Sequence, residues 1–188
     1  MAGLIAATPD RNWTAVKITQ YGHGICSAHG GECDCAVDQH SFAISEERDR
    51  SGKSDTSRFL VAGAAQSLWV RTRQGMLGEA MPQVRRRLAG ATNVIIESNS
   101  VLRFLRPDVY LTVLDTQNPD FKTSAQEFLD RASAVVMHAD GHEQFTWQKV
   151  SLRPVSGKPI FYVRPPQYCT SEIVDFVCER LAVVRTKC

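Results

Sequence analysis

Short apolar runs rich in β-branched residues recur along this chain with helix-length stretches between them, and this alternation restricts the fold more than any other feature. Residues 13–19, 67–72, 93–97, 109–115, 134–138 and 159–163 each read as a strand. Between them, Met81, Val84 and Leu88 recur at helical spacing and Gly90 stops the run. Residues 55–62 predict a short helix ending near Gly63. Ser124-Ala-Gln-Glu127 has the pattern of a capping box, opening a helix through Phe128, Leu129 and Ala132. A last helix begins near Thr170 or Ser171, with Ile173, Val174, Val177 and Leu181 on one face. Strands alternating with helices imply βαβ units, hence an α/β fold with a mostly parallel sheet and flanking helices. The strands are nearly continuous apolar runs, as burial on both faces requires. In such sheets ligands bind at the carboxyl ends of the strands.

A chain of 188 residues fits one domain, residues 1–188, large enough to bury a core. Its apolar fraction of 43% and charged fraction of 22% are globular values that argue against disorder. A net charge of +2 gives no strong attraction to nucleic acid or to an anionic membrane, so neither is an expected partner. No apolar run approaches the roughly 18 residues of a membrane span, and the apolar start meets Thr8-Pro9-Asp10 too early for a signal peptide. The expected location is the cytoplasm. There the six cysteines stay reduced and read as packing residues or metal ligands.

Three of those cysteines lie in an insertion at about 20–53, rich in glycine and histidine. Cys26, Cys33 and Cys35, with His23 and His29 beside them, form a candidate Zn²⁺ site of thiolates and imidazole. The spacing differs from the common Cys-x2-Cys knuckle, and a loop with incidental cysteines is the plain alternative. One short strand, 40–44, is expected inside the insertion.

The run Asn93-Val-Ile-Ile-Glu97-Ser98-Asn99-Ser100 places an acid at the end of a buried-type strand, followed by small polar residues. A carboxylate so placed can hold Mg²⁺, directly or through water, beside a phosphate chain, and Ser98 and Asn99 can donate hydrogen bonds. Ser51-Gly52-Lys53-Ser54 imitates the tail of a phosphate-binding loop. The full motif needs glycine where Glu47 stands, and a charged run precedes it instead of an apolar strand. No other Gly-x-x-x-x-Gly-Lys-[Ser/Thr] occurs in the 188 residues.

These segments together resemble the P-loop NTPases of the molybdopterin-guanine dinucleotide biosynthesis adapter (MobB) family. The resemblance runs from about Thr14 to Asp115. It is carried by Val16-Lys17-Ile18-Thr19-Gln20-Tyr21-Gly22-His23, by Gly52-Lys53-Ser54-Asp55-Thr56-Ser57-Arg58 with Ala62-Gly63-Ala64, and by Ile96-Glu97-Ser98. It implies a P-loop NTPase-like fold whose first strand and P-loop are missing. Lys17, Asp55, Thr56, Arg58 and Glu97 would face a nucleotide, GTP or ATP, or its Mg²⁺, with Glu97 as the catalytic carboxylate. Asp55 and Thr56 can instead merely cap a helix. Residues 2–7 read as the end of a helix, so the resemblance further implies a chain truncated at its N-terminus, poorly stable and inactive as it stands. The segment Val135-Val-Met-His138-Ala-Asp140-Gly141 occupies the place of a base-reading loop but lacks an Asn-Lys-x-Asp signature.

The function this implies is that of a nucleoside-triphosphate-binding accessory protein in molybdenum-cofactor or other metallocentre maturation, a weak GTPase or ATPase if the loop is restored. Its further partner would be a protein client or a second copy. The alternatives are a metal-binding scaffold that uses the Cys/His loop, and an ATP-dependent small-molecule kinase or ligase on the same fold.

Overall fold

The computed structural model describes residues 1–21, 41–115, 118, 121, 123–138, 147 and 151–185. The chain divides into two compact units, Met1–Phe104 and Leu105–Cys188. Each holds one sheet, and both are α/β.

The first unit opens with helix α1 (Ala2–Ala7) and a single turn at Pro9–Arg11. Asn12 then takes a left-handed conformation, φ 52°, and turns the chain into strand β1 (Trp13–Tyr21). Asparagine is among the few non-glycine residues that adopt this conformation readily. Thr8 locks the corner: its hydroxyl donates to the Leu4 carbonyl at 2.7 Å and accepts from Trp13 Nε1 at 2.8 Å.

Strands β2 (Phe42–Glu46), β3 (Gln66–Arg73) and β4 (Asn93–Glu97) complete a sheet of order β2-β3-β1-β4. β1 runs parallel to β3 and β4, whereas β2 is antiparallel to β3. Parallel neighbours on both sides bury β1, and Ala15 and Val16 are 0% exposed. Helix α2 (Asp55–Val61) packs on β1 and β3, and helix α3 (Leu77–Leu88) on β2 and β3. The buried side chains of α3 are Leu77, Ala80, Met81 and Val84; of the stripe read from helical spacing, Met81 and Val84 are buried and Leu88, at the helix end, is only half-buried.

The second unit is a three-stranded, wholly parallel sheet, β5 (Leu111–Asp115), β6 (Ala134–His138) and β7 (Ile160–Val163), with β6 in the centre. One face carries Leu114, Val135 and Met137 against Leu129, Ala132 and Val155. The other packs Val136 and Val163 against Ile173 of helix α5 (Ser171–Arg185). Cys178 on α5 is half-buried, beside the packed face as its position in the helix predicts.

The mostly parallel α/β architecture matches the alternation in the sequence. Three details differ from it. The parallel strands are shared between two sheets. The strand expected at 40–44 lies two residues later, and it is the one antiparallel member among the described residues. The helix expected from the capping-box pattern is the four-residue α4 (Thr123–Gln126), followed by a separate turn at Leu129–Arg131. Burial of Phe128, Leu129 and Ala132, all under 5% exposed, prevails over the local capping signal there. No helix among the described residues is long and apolar enough to cross a membrane.

Candidate functional site

Four charged residues of the first unit converge where β4 ends beside the middle of β1. Lys17 on β1 and Glu97 on β4 are paired in register, so both side chains leave the same face. The Lys17 ammonium donates to Glu97 Oε1 at 3.3 Å and to Asp55 Oδ2, the first residue of α2. Asp55 Oδ1 accepts in turn from Arg58 Nη1 at 2.9 Å, and Arg58 Nε donates to the Gly52 carbonyl at 3.1 Å. The result is a chain of alternating charges, Glu97–Lys17–Asp55–Arg58.

Lys17 is the least exposed of these side chains, at 24%, against 39% for Asp55, 48% for Glu97 and 59% for Arg58. Burial alone would lower the Lys17 pKa. The hydrogen bond to Asp55 and the charges of Glu97 and Asp55 outweigh it, and the pKa is raised. The same hydrogen bond from Lys17 holds the Asp55 carboxyl below its ordinary range.

The residues carried by the family resemblance divide at this point. Lys17, Asp55, Arg58 and Glu97 are brought together. Thr56 is 2% exposed and turned away from them, its hydroxyl donating to Glu47 Oε2 at 2.7 Å. It helps build the start of α2, the plainer of the two roles its position offered. Ser54 is the N-cap of that helix and accepts from the Ser57 amide at 3.1 Å. The Gly52 amide donates to Ser57 Oγ at 2.8 Å. The Ser51-Gly52-Lys53-Ser54 run is thus a helix-capping turn, in which Gly52 supplies a left-handed φ of 74°.

Ser98 and Asn99 follow Glu97 directly. Ser98 Oγ accepts from the Val101 amide at 3.3 Å and lies 3.2 Å from Ser100 Oγ. Gln20 Nε2 of β1 donates to Ser100 Oγ at 2.7 Å, tying this loop to the sheet. The Asn99 carbonyl accepts from the Leu102 amide at 3.2 Å, opening the turn at Ser100–Arg103.

Sequence reasoning passed over Glu47, which it treated as one charge in a run. Glu47 accepts from Thr56, from Ser54 and from the amides of Arg48 and Asp49. These bonds, that from Thr56 foremost, lower its pKa. It also passed over a pair in the second unit. His138 Nδ1 lies 3.5 Å from Asp115 Oδ1 at the carboxyl ends of β6 and β5, and its ring stacks on Tyr168 with centroids 5.5 Å apart. Only the neighbouring-strand register, invisible in a linear reading, places Asp115 beside His138.

Cys26, Cys33, Cys35, His23 and His29 lie outside the described residues, as does the end of the candidate base-reading loop after His138. Among the described residues no group of three or more His, Cys, Asp or Glu is placed to hold a metal ion. Asp55 and Glu97 are two carboxylates flanking one ammonium. That donor set fits Mg²⁺ as it is commonly bound, by one or two carboxylates with the remaining ligands from phosphates and water.

Comparison with protein-family models, with curated proteins and with solved structures found no match for this chain.

Proposed function

We propose that the first unit binds the phosphate chain of a Mg²⁺–nucleoside triphosphate at the carboxyl end of its sheet, as part of an accessory protein in metallocentre maturation. The observation that carries this reading is Lys17, held between Asp55 and Glu97 where β4 ends against β1. A lysine so tethered is a cation stored at the site. When phosphate oxygens arrive, the ammonium can exchange its carboxylates for them, and the released carboxylates can take Mg²⁺ or its waters. Arg58 keeps Asp55 oriented through that exchange. Mg²⁺ supplies charge neutralisation when bound. The chain's own residues position it, and Glu97 is the candidate to orient a water beside the terminal phosphate.

The 188 residues carry no phosphate-binding loop of the Gly-x-x-x-x-Gly-Lys-[Ser/Thr] form. β4 stands at the end of the strand order and pairs only with β1 among the described residues. A further parallel strand on that edge would deliver such a loop beside Glu97. Without one, binding is expected to be weak and hydrolysis absent.

Calorimetric titration of Mg-GTP and Mg-ATP into the protein tests the reading. Binding of either, lost with the Lys17→Met variant and absent with the unphosphorylated nucleosides, is the expected result. No heat from either nucleotide at millimolar concentration, or binding indifferent to Lys17, overturns it.

The scaffold reading rests on a separate observation, three thiols within ten residues at Cys26, Cys33 and Cys35. Elemental analysis of the purified protein and of its Cys33→Ser and Cys35→Ser variants tests that reading. Zinc in the parent and none in the variants supports it.

A further inference from the structure

The Lys17 ammonium is the point on which two carboxylates converge. Glu97 Oε1 accepts from Lys17 Nζ at 3.3 Å, and Asp55 Oδ2 accepts from the same nitrogen. Asp55 turns its other oxygen, Oδ1, to Arg58 Nη1 at 2.9 Å, and Arg58 Nε is anchored on the Gly52 carbonyl at 3.1 Å. Arg58 therefore keeps Asp55 Oδ2 aimed at this point whether or not the ammonium is there. Glu97 is the last residue of β4, and backbone pairing with Lys17 fixes where its side chain starts. All three side chains keep surface in contact with solvent, so the point is reached from outside.

Two carboxylate oxygens aimed at one cation are half of a divalent-metal site, since Mg²⁺ takes one or two carboxylates and fills its other positions with water and phosphate oxygens. Here an ammonium stands in that place. Lys17 and Arg58 together balance the charges of Asp55 and Glu97. A free divalent cation would meet a like charge at contact distance, oxygens already engaged and no net negative charge from these four residues to draw it in. Lys17 differs from a metal ion in being tethered. Its charge sits at the tip of a flexible four-carbon stem, so it can swing aside without leaving the protein. An anion with several charged oxygens attracts the ammonium away from the carboxylates. A bare cation repels it and offers it no new partner.

We propose that Lys17 is a resident substitute for a divalent cation at Asp55 and Glu97, closing that seat to free Mg²⁺ and yielding it only to metal that arrives on a polyphosphate. The yielding half rests on the nucleotide reading above. The closing half does not, because it concerns the protein without ligand. The consequence is an order of binding in which metal and phosphates enter together. Take Lys17 away, and the seat becomes a plain two-carboxylate metal site.

The test is titration of Mn²⁺ into the full chain without nucleotide, followed by the electron paramagnetic resonance of the unbound ion. Mn²⁺ favours the same oxygen ligands as Mg²⁺. The parent is expected to bind no Mn²⁺ through Asp55 and Glu97. Lys17→Met and Lys17→Gln should each bind it at least about tenfold more tightly than the parent, since like charges at contact distance repel appreciably even in water. Adding Asp55→Asn or Glu97→Gln to Lys17→Met should return the affinity to that of the parent, which separates this seat from any other on the chain. Lys53→Met, an exposed lysine of the capping turn before α2, should behave as the parent does. Mn²⁺ should raise the unfolding midpoint of Lys17→Met and leave that of the parent in place. The proposal is overturned if neither Lys17 variant gains affinity, if the gain survives Asp55→Asn and Glu97→Gln, or if the parent already binds free Mn²⁺ through these carboxylates. A gain in the Lys17 variants with no nucleotide binding by the parent would support the closed seat and overturn the nucleotide reading with its order of binding.

Discussion

Lys17 and Glu97 are register partners on neighbouring parallel strands and are also joined side chain to side chain, at 3.3 Å. Backbone pairing fixes where the two side chains start, so little rotamer freedom remains to be lost in closing the ion pair. Lys17 shares its charge with Asp55. Lys17→Met therefore leaves two carboxylates facing each other. The groups are partly exposed, so the expected loss is about 1 kcal/mol, the upper end for solvent-screened pairs. Urea unfolding of parent and variant should show it at low ionic strength, and the difference should narrow in 0.5 M salt, roughly the regime in which screening shortens below 5 Å.

The pH dependence has two limbs. Asp55 and Glu47 have pKa values below their ordinary 3.8 and 4.5, so their contribution is complete above those values and is lost as pH falls through the lower folded-state values. Lys17 is raised above 10.5, so its contribution is complete below that pH and is lost as pH rises through its higher folded-state value. Between these limbs the contributions of Asp55, Glu47 and Lys17 are all complete, and as pH rises past 9.0 burial of the Cys169 thiol, which pushes its pKa up, begins to oppose folding. Asp55→Asn should shallow the acid limb, and its failure to do so would remove Asp55 from the account.

Ser54→Ala removes the side-chain acceptor of the Ser57 amide at the start of α2. The expected cost is about 1 kcal/mol, the usual value of an N-cap. Because Asp55 is the first residue of that helix, loosening the cap should also relax the Asp55 pKa toward its ordinary value. NMR titration of the Asp55 carboxyl reads this directly.

Edge strands should govern self-association. β4 carries Val94-Ile95-Ile96 with no lysine or proline to blunt it, and β5 exposes Val113 at 68%. Ile95→Lys and Val113→Lys are each expected to slow the growth of light scattering on gentle warming. Growth unchanged in both would place association elsewhere.

Much of the fold was legible because its signals are local. The run Asn93-Val-Ile-Ile-Glu97 and the run Ala134–His138 are strands to the residue, since continuous apolar, β-branched segments have few other ways to be buried. Lys17 is a charge inside an apolar strand, and such a charge requires a partner. Strand order was not legible. That β1 lies between β3 and β4 follows from packing among residues more than forty positions apart. The candidate site was half-legible accordingly. The acid closing a buried strand marked Glu97, and the family resemblance pointed to Asp55, Thr56 and Arg58; Thr56 serves the helix start instead, and Glu47 acquires its role through side-chain bonds that no spacing announces.

The central place of β1 has a consequence for the protein's birth. The ribosome delivers Trp13–Tyr21 first, but the strands that flank it lie at Gln66–Arg73 and Asn93–Glu97. Both pairings are parallel, so no adjacent hairpin can shelter β1 in the meantime. At roughly 5–20 residues per second, an apolar strand with both edges bare waits several seconds outside the exit tunnel for its neighbours. Holding chaperones would find their target there, and slowing translation before residue 97 should lengthen that engagement.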